Sequence, residues 1–277
     1  DDQIFKKVSG VVSSQTVVAH LRLATQGQKT ILNSHPFQYG KWIFAHNGNL
    51  TNAEKLRNSL IATGSLFQST TDTEAIIHLV ARSHQSAPKD RLAEALMQVS
   101  GAYALVAVVE GCLIGVRDPL GIRPLVMGTI GDATILASET CALDIIGADY
   151  VRDIDPGEMV IISKDGVSSV RLTEAQPSRF CIFEYIYFAR PDSHLEGRSV
   201  YSARKSIGKE LATETGVEAD LVVPVPDSGV PAAIGYAEAS GIPFELGIIR
   251  NQYIGRTFIQ PTEAGRTSGV MLKHNAN

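Results

Sequence analysis

Residues 41–50, KWIFAHNGNL, run from an apolar stretch straight into a histidine, two amides and a glycine. Trp42 to Ala45 reads as a strand, and Thr51-Asn52 follows as the cap of a helical pattern over Ala53 to Ala62 that Gly64 closes. The junction His46-Asn47-Gly48-Asn49 then has two readings. One is an ordinary turn, since Asn and Gly both suit turn backbone. The other is a site for developing negative charge, because an Asn side-chain N–H beside an exposed Gly N–H makes an oxyanion hole.

The rhythm around this stretch sets the fold class. Thr16 to Leu23 reads as a further strand, Thr71-Asp72 caps a helix over Glu74 to Arg82, and Arg91 to Val99 reads as a third helix. Ala102 to Val109, Leu113 to Val116, Thr134 to Ala137 and Met159 to Ile162 are strand-like and separated by Gly-Asp, Asp-Pro and Pro-Gly turns. Strands that follow one another directly predict antiparallel sheets with packed helices, an α+β domain.

From about Ser199 the pattern becomes helix, strand, helix, strand: Ala203 to Glu214, Leu221 to Val225, Gly229 to Ala239 closed by Gly241, and Phe244 to Ile249. That order predicts an α/β unit with a parallel sheet, whose ligands bind at the carboxyl ends of the strands. Asp227-Ser228-Gly229 falls there, at the mouth of a helix whose N–H groups suit a phosphate. Domains are expected over 1–175 and 176–277. Between the halves, Phe180, Phe183, Tyr185, Tyr187, Phe188 and Tyr201 read equally as a buried interdomain face or as an ordinary core strand.

Bulk properties exclude several classes. The 277 residues are 44% hydrophobic and 19% charged, which suits a folded chain rather than a disordered one. A net charge of −4 offers no electrostatic footprint for nucleic acid or an anionic membrane. The longest apolar run is too short to span a bilayer, and Asp1-Asp2-Gln3 does not open a signal peptide. Cys112, Cys141 and Cys181 form no CxxC pair, so a reducing, cytoplasmic setting is expected.

Several residue types carry chemistry. Arg22 ends a strand and can clamp a carboxylate with two parallel hydrogen bonds. Asp72 reads either as a helix cap or as the acceptor for a substrate ammonium. Together with Asn47 and Gly48 they suit an amino acid whose side-chain carbonyl is attacked. His35 and His46 lack metal-ligand spacing and read as core or hydrogen-bonding residues. Cys112 and Cys141 read as structural, and with Asp1 at position one no terminal Cys, Ser or Thr supplies its own amine as base.

The stretches AHLRLAT (19–25), NSHPF (33–37), FAHNGNL (44–50), STTDTEAI (69–76), RDPLGIRPL (117–125), ASETCALD (137–144) and DIDPGEMVII (153–162) resemble class II, N-terminal-nucleophile glutamine amidotransferases. FEYIYFARPDS (183–193), VYSAR (200–204), VPVPDSGVPAAIGYAEASGIP (223–243) and NQYIGRTFIQP (251–261) are similar to the glutamine phosphoribosylpyrophosphate amidotransferase family. The resemblance implies a glutaminase domain followed by a type I phosphoribosyltransferase domain. It implies a pentosyltransferase of purine synthesis that converts glutamine, phosphoribosyl pyrophosphate and water to phosphoribosylamine, glutamate and pyrophosphate.

By resemblance, Arg22 and Thr25 hold the glutamine carboxylate side, Asp72 its ammonium, and Asn47 and Gly48 the oxyanion. Asp227, Ser228, Arg250, Tyr253 and Arg256 fall in the phosphoribosyl pyrophosphate region, with Ser228 toward Mg2+ and Arg250 to Arg256 opening a flexible loop. Cys181 reads either as a ligand of a 4Fe-4S cluster or as a small buried hydrophobe. Purine nucleotide inhibitors and a homotetramer are implied as well. The family's leading catalytic cysteine and its downstream phosphate loop are not in this sequence, so both ends are expected to be missing and the 277 residues alone to be inactive. Leu23 stands where the family often has tyrosine. A non-catalytic paralogue or binding module, or another class II amidotransferase, are the alternatives.

Overall fold

The computed structural model describes residues 14–21, 30–174, 176–253 and 270–277. The chain divides into two compact units: Asp1–Ser138 with Ala142–Phe180, and Glu139–Cys141 with Cys181–Asn277.

In the first unit the strands are β1 (Phe37–Tyr39), β2 (Trp42–Leu50), β3 (Gly101–Val109), β4 (Cys112–Arg117), β5 (Val126–Ile130), β6 (Ala133–Ala137), β7 (Asp149–Asp153), β8 (Glu158–Ser163) and β9 (Gly166–Arg171). The helices are α1 (Ala53–Ala62), α2 (Thr73–Arg82) and α3 (Pro88–Leu96), and α4 (Thr140–Ile146) begins in the Glu139–Cys141 segment of the second unit. One sheet runs β1-β2-β3-β4-β8-β9 and another β6-β5-β7, with every pair antiparallel.

Alternation along β3 explains the layering. Leu105, Ala107 and Val109 join Phe44, Ile114, Val116 and Met159 in a core with Ile76, Ile77 and Val80 of α2 and Leu92 and Leu96 of α3. Ala104 and Val106, pointing to the opposite face, join Val160 in a core with Met127 and Leu136 of the smaller sheet. The large sheet is thus covered by helices on one face and by the three-stranded sheet on the other, which is why β3 reads as a nearly continuous apolar run.

Some sequence expectations change. β2 does not end at Ala45. It continues to Leu50, paired with β3 from Ile43 opposite Val108 to Leu50 opposite Gly101. The ladder gives backbone groups their partners whatever the side chains are, so polar residues do not end it. Among the described residues no strand covers 16–21, although the run is apolar. β-Propensity reports a fit to neighbouring strands rather than an intrinsic preference. The third helix starts at Pro88 rather than Arg91, since proline at the first helical position lacks only an N–H that has no helical partner there.

The second unit holds α5 (Val200–Glu214), α6 (Val230–Ser240), the two-residue strands β10 (His194–Leu195) and β11 (Arg198–Ser199), and β12 (Ile248–Arg250) antiparallel to β13 (His274–Ala276). Ser199 caps α5 by accepting from the Ser202 N–H at 3.3 Å. Gly241, at φ 74°, ends α6. A Cβ on Gly208 would lie 1.9 Å from the Ala232 carbonyl oxygen, and one on Gly235 1.9 Å from that of Lys205. The two helix backbones therefore touch where only glycine fits.

The expected strand over 221–225 is narrower in the structure. It is one parallel bridge, Val222 to Phe244, bracketing α6. The expected strand over 244–249 shortens to β12. The aromatic segment forms a π-helix over Glu184–Phe188, not a strand. Of its rings only Tyr185 is buried, with its hydroxyl donating to the Leu195 carbonyl at 2.6 Å. Among the described residues, no helix is long and apolar enough to cross a membrane.

Candidate active site

Three pieces of the first unit converge: the end of β2, the start of α2 and the loop after β4. His46 on β2 is 4% exposed. Its Nδ1 lies 2.9 Å from Thr73 Oγ1 and 4.0 Å from Asp72 Oδ1. Burial pushes the His46 pKa down, as does the nearby Arg123 charge, against the raising effects of Asp72 and the Ala102 carbonyl. The ring is therefore neutral, a polar post between strand and helix. Its hydrogen-bonding role matches the expectation from spacing.

Asp72 occupies the N-cap position of α2 but makes no side-chain capping bond. Its Oδ2 instead accepts the Leu50 N–H at 2.8 Å. The carboxylate is thus tied to the last residue of β2 and brought alongside the Asn47-Gly48 segment, at the positive end of the helix dipole.

Asn47 and Gly48 are half-buried, reachable above the buried His46. Arg123 Nη2 donates to Asn47 Oδ1 at 3.1 Å. Gly48 has φ +156°, and a Cβ there would lie 2.0 Å from the Ala102 carbonyl oxygen and 2.7 Å from His46 Nε2. Only a residue without a side chain fits. The constellation can present neutral donors to a carbonyl oxygen from Asn47 and Gly48, and a carboxylate to a cation from Asp72. Arg22 and Thr25 lie outside the described residues.

In the second unit, Asp227 and Arg250 form an ion pair in which the Arg250 side chain is 31% exposed and that of Asp227 65%. Ser228 is half-buried beside them in sequence, just ahead of α6. Arg250 is the last residue of β12, so the expected loop starts after it. Tyr253 is 99% exposed, and Arg256 lies outside the described residues. Among the described residues no three His, Cys, Asp or Glu side chains gather as a metal group. Cys181 is a half-buried free thiol and Cys141 a buried one.

Of the residues singled out in the sequence, Asn47 and Gly48 lie on β2 and Asp72 is held to the last residue of that strand. Sequence reasoning missed Thr73 and Arg123 as contacts of the site. The available signal was the charged pair Arg117-Asp118 at the end of the apolar stretch LIGV, since charges placed inside a core run are there to hold something.

A family profile described as a glutamine amidotransferase domain matches residues 20–144. The amidophosphoribosyltransferase of Rhizobium etli is 52% identical over 269 residues, covering 94% of this chain and 54% of the relative. That of Bacillus subtilis is 48% identical over 270 residues, covering 96% and 57%. The solved glutamine phosphoribosylpyrophosphate amidotransferase of B. subtilis, complexed with ADP and GMP, superposes with a TM-score of 0.83 at 48% identity, covering 93% of this chain and 57% of that one. The chain thus spans a little over half the length of the relatives it matches. Residues 20–144 thus match a glutamine amidotransferase domain, and over nearly its whole length the chain resembles the glutamine phosphoribosylpyrophosphate amidotransferases.

Proposed function

We propose that the full-length protein is an amidophosphoribosyltransferase: it hydrolyses glutamine in the first unit and uses the ammonia to displace pyrophosphate from phosphoribosyl pyrophosphate in the second. The observation that carries this reading is the meeting of Asn47, Gly48 and Asp72 at the end of β2. Asp72 receives the α-ammonium of glutamine, and Arg22 with Thr25 its carboxylate side. As a cysteine thiolate attacks the side-chain carbonyl, charge moves onto its oxygen. The Asn47 amide and the Gly48 N–H take that charge without rearranging, which is where such donors act most strongly. In the family the resemblance points to, the nucleophile is a leading cysteine.

In the second unit we propose that Asp227, Ser228, Arg250, Tyr253 and Arg256 receive phosphoribosyl pyrophosphate. The exposed Asp227 carboxylate is an oxygen donor of the kind Mg2+ accepts alongside substrate phosphates, with Ser228 next to it. Bound there, the ion would neutralise the leaving pyrophosphate. A type I phosphoribosyltransferase domain, a cytoplasmic setting, a homotetramer and control by purine nucleotides belong to the same proposal. The B. subtilis relative solved with ADP and GMP supports the last of these.

Replacing Asn47 by alanine in the full-length protein tests the reading. Glutaminase kcat should fall about 10²–10³-fold with little change in the KM for glutamine, the signature of a donor used in the transition state. Equal turnover would remove the oxyanion assignment.

A further inference from the structure

We propose that Arg123 is a positioning residue for Asn47: its guanidinium fixes the side-chain amide with both Nδ2 hydrogens turned away from itself and toward the substrate carbonyl. The inference rests on the oxyanion reading of Asn47. A guanidinium has only donors, so the Asn47 atom 3.1 Å from Arg123 Nη2 is the oxygen and the free side of the amide is its donor side. Without that partner the amide has two orientations of similar energy, and one of them aims a carbonyl oxygen at the developing oxyanion. The cation also draws electron density from Oδ1 and makes the N–H a stronger donor.

Delivery of Arg123 is built into the sheet. Asn47 on β2 stands opposite Ala104 on β3, which stands opposite Arg117 on β4, so the chain leaving β4 starts level with Asn47, one strand removed. It is then turned back by two buried charges. Asp118, 0% exposed, accepts the N–H groups of Tyr103, Leu120, Ile122 and Arg123 at 3.0–3.3 Å. Arg117, 1% exposed, donates to the carbonyls of Arg123, Ile154 and Gly121 at 2.8, 2.8 and 2.9 Å. Both backbone groups of Arg123 are thereby held, independently of its side chain. Tyr103, held by Asp118, is also the residue opposite Gly48, so one hub fixes the strand behind one donor and the loop that orients the other.

The test uses the full-length protein with four variants: Arg123→Ala, Arg123→Lys, Asn47→Ala and the Arg123→Ala/Asn47→Ala double. Glutaminase kcat and KM for glutamine are measured with a thermal melt of each. Arg123→Ala should lower kcat by roughly 10- to 100-fold, the scale of a misplaced catalytic group, while KM stays within about twofold. It should add almost nothing on the Asn47→Ala background, because a residue acting through Asn47 has nothing left to act on. An unchanged kcat, or losses that multiply in the double variant, would overturn the proposal. If Arg123→Ala does not fold, Arg123→Lys, which keeps a cation with one donor in place of the fork, is judged by the same two criteria against Asn47→Ala. An Asn47→Ala enzyme with normal turnover would instead sink the oxyanion reading itself, so the two failures are separable.

Discussion

At Gly48 the requirement is steric before it is catalytic. A Cβ would sit 2.0 Å from the carbonyl oxygen of Ala102, on the partner strand, and that oxygen belongs to backbone that cannot swing aside. Gly48→Ala should therefore destabilise the first unit by about 1–3 kcal/mol, the cost of overpacking with backbone displacement, and should lower glutaminase turnover because β2 and β3 must separate at the donor. Gly216→Ala is the matched control: nothing lies within 4 Å of its Cβ and its φ is not positive, so its effect should stay within about 0.5 kcal/mol. Denaturant unfolding of both variants decides it. Equal midpoints for the two would show that the strands have room at Gly48. His46 adds to the same point, since its Nε2 lies 2.7 Å from where that Cβ would be. The neutral ring, held by Thr73, fills the space that a side chain at 48 would need.

Between elements, an ion pair ties the two sheets of the first unit beside the apolar core they share. Arg152 on β7, in the small sheet, donates from Nη1 and Nη2 to Oε2 and Oε1 of Glu158 on β8, in the large sheet, both at 2.7 Å. Burial of Glu158 pushes its pKa up, but the bonds from Arg152 and the Asp155 N–H outweigh this and leave it below the usual 4.5. A carboxylate with a depressed folded pKa contributes stability that is complete above its unfolded value, near 4.5, and is lost as pH falls through the folded value. Arg152 is 38% exposed, so solvent screens part of the attraction, and Glu158→Gln should cost about 1–2 kcal/mol at pH 7. The gap between wild type and Glu158→Gln in denaturant midpoint should narrow steadily below pH 4.5; a gap of constant size down to pH 3 would refute the clamp. Nothing in the sequence singles out this pair, whereas α1, α2 and α3 were readable from local signals. Leu60 of α1 and the Ile76, Ile77 and Val80 face of α2 follow helical spacing, while the start of α3 at Pro88 rather than Arg91 was not anticipated. The limits of β2 and the missing strands near 16–21 and 221–225 were not readable, because strand ends are set by a neighbour distant in sequence. Asn47, Gly48 and Asp72 stood out in the sequence as candidates by residue type. Arg123 did not, because the Arg117-Asp118 pair in its apolar run signals a buried hub without saying which residue that hub positions.

At the scale of the whole chain, the two sets of candidate residues belong to different units: Asn47, Gly48, Asp72 and Arg123 to the first, and Asp227, Ser228 and Arg250 to the second. Each set is held by partners within its own unit. Asp72 is fixed by the Leu50 N–H, and Asn47 by Arg123. Asp227 pairs with Arg250. Substitutions that share no partners add independently, so damage to one set should leave the chemistry of the other intact. Asp227→Ala in the full-length protein removes the exposed carboxylate and leaves Arg250, whose Nε is buried with no hydrogen-bond partner among the described residues, without its anion. Arg250 retains access to solvent, so the fold should survive. Ammonia-dependent transfer to phosphoribosyl pyrophosphate should fall by about 10²-fold or more, as expected when a group that binds the developing charge is lost, while glutamine hydrolysis stays within about threefold of wild type. The two rates are measured on one preparation, phosphoribosylamine formation with ammonia as donor and glutamate release from glutamine. Retention of both would mean that the phosphate site lies elsewhere than Asp227. Loss of both in a protein that still melts cooperatively would mean that the units are coupled, and that glutamine hydrolysis depends on the state of the second site.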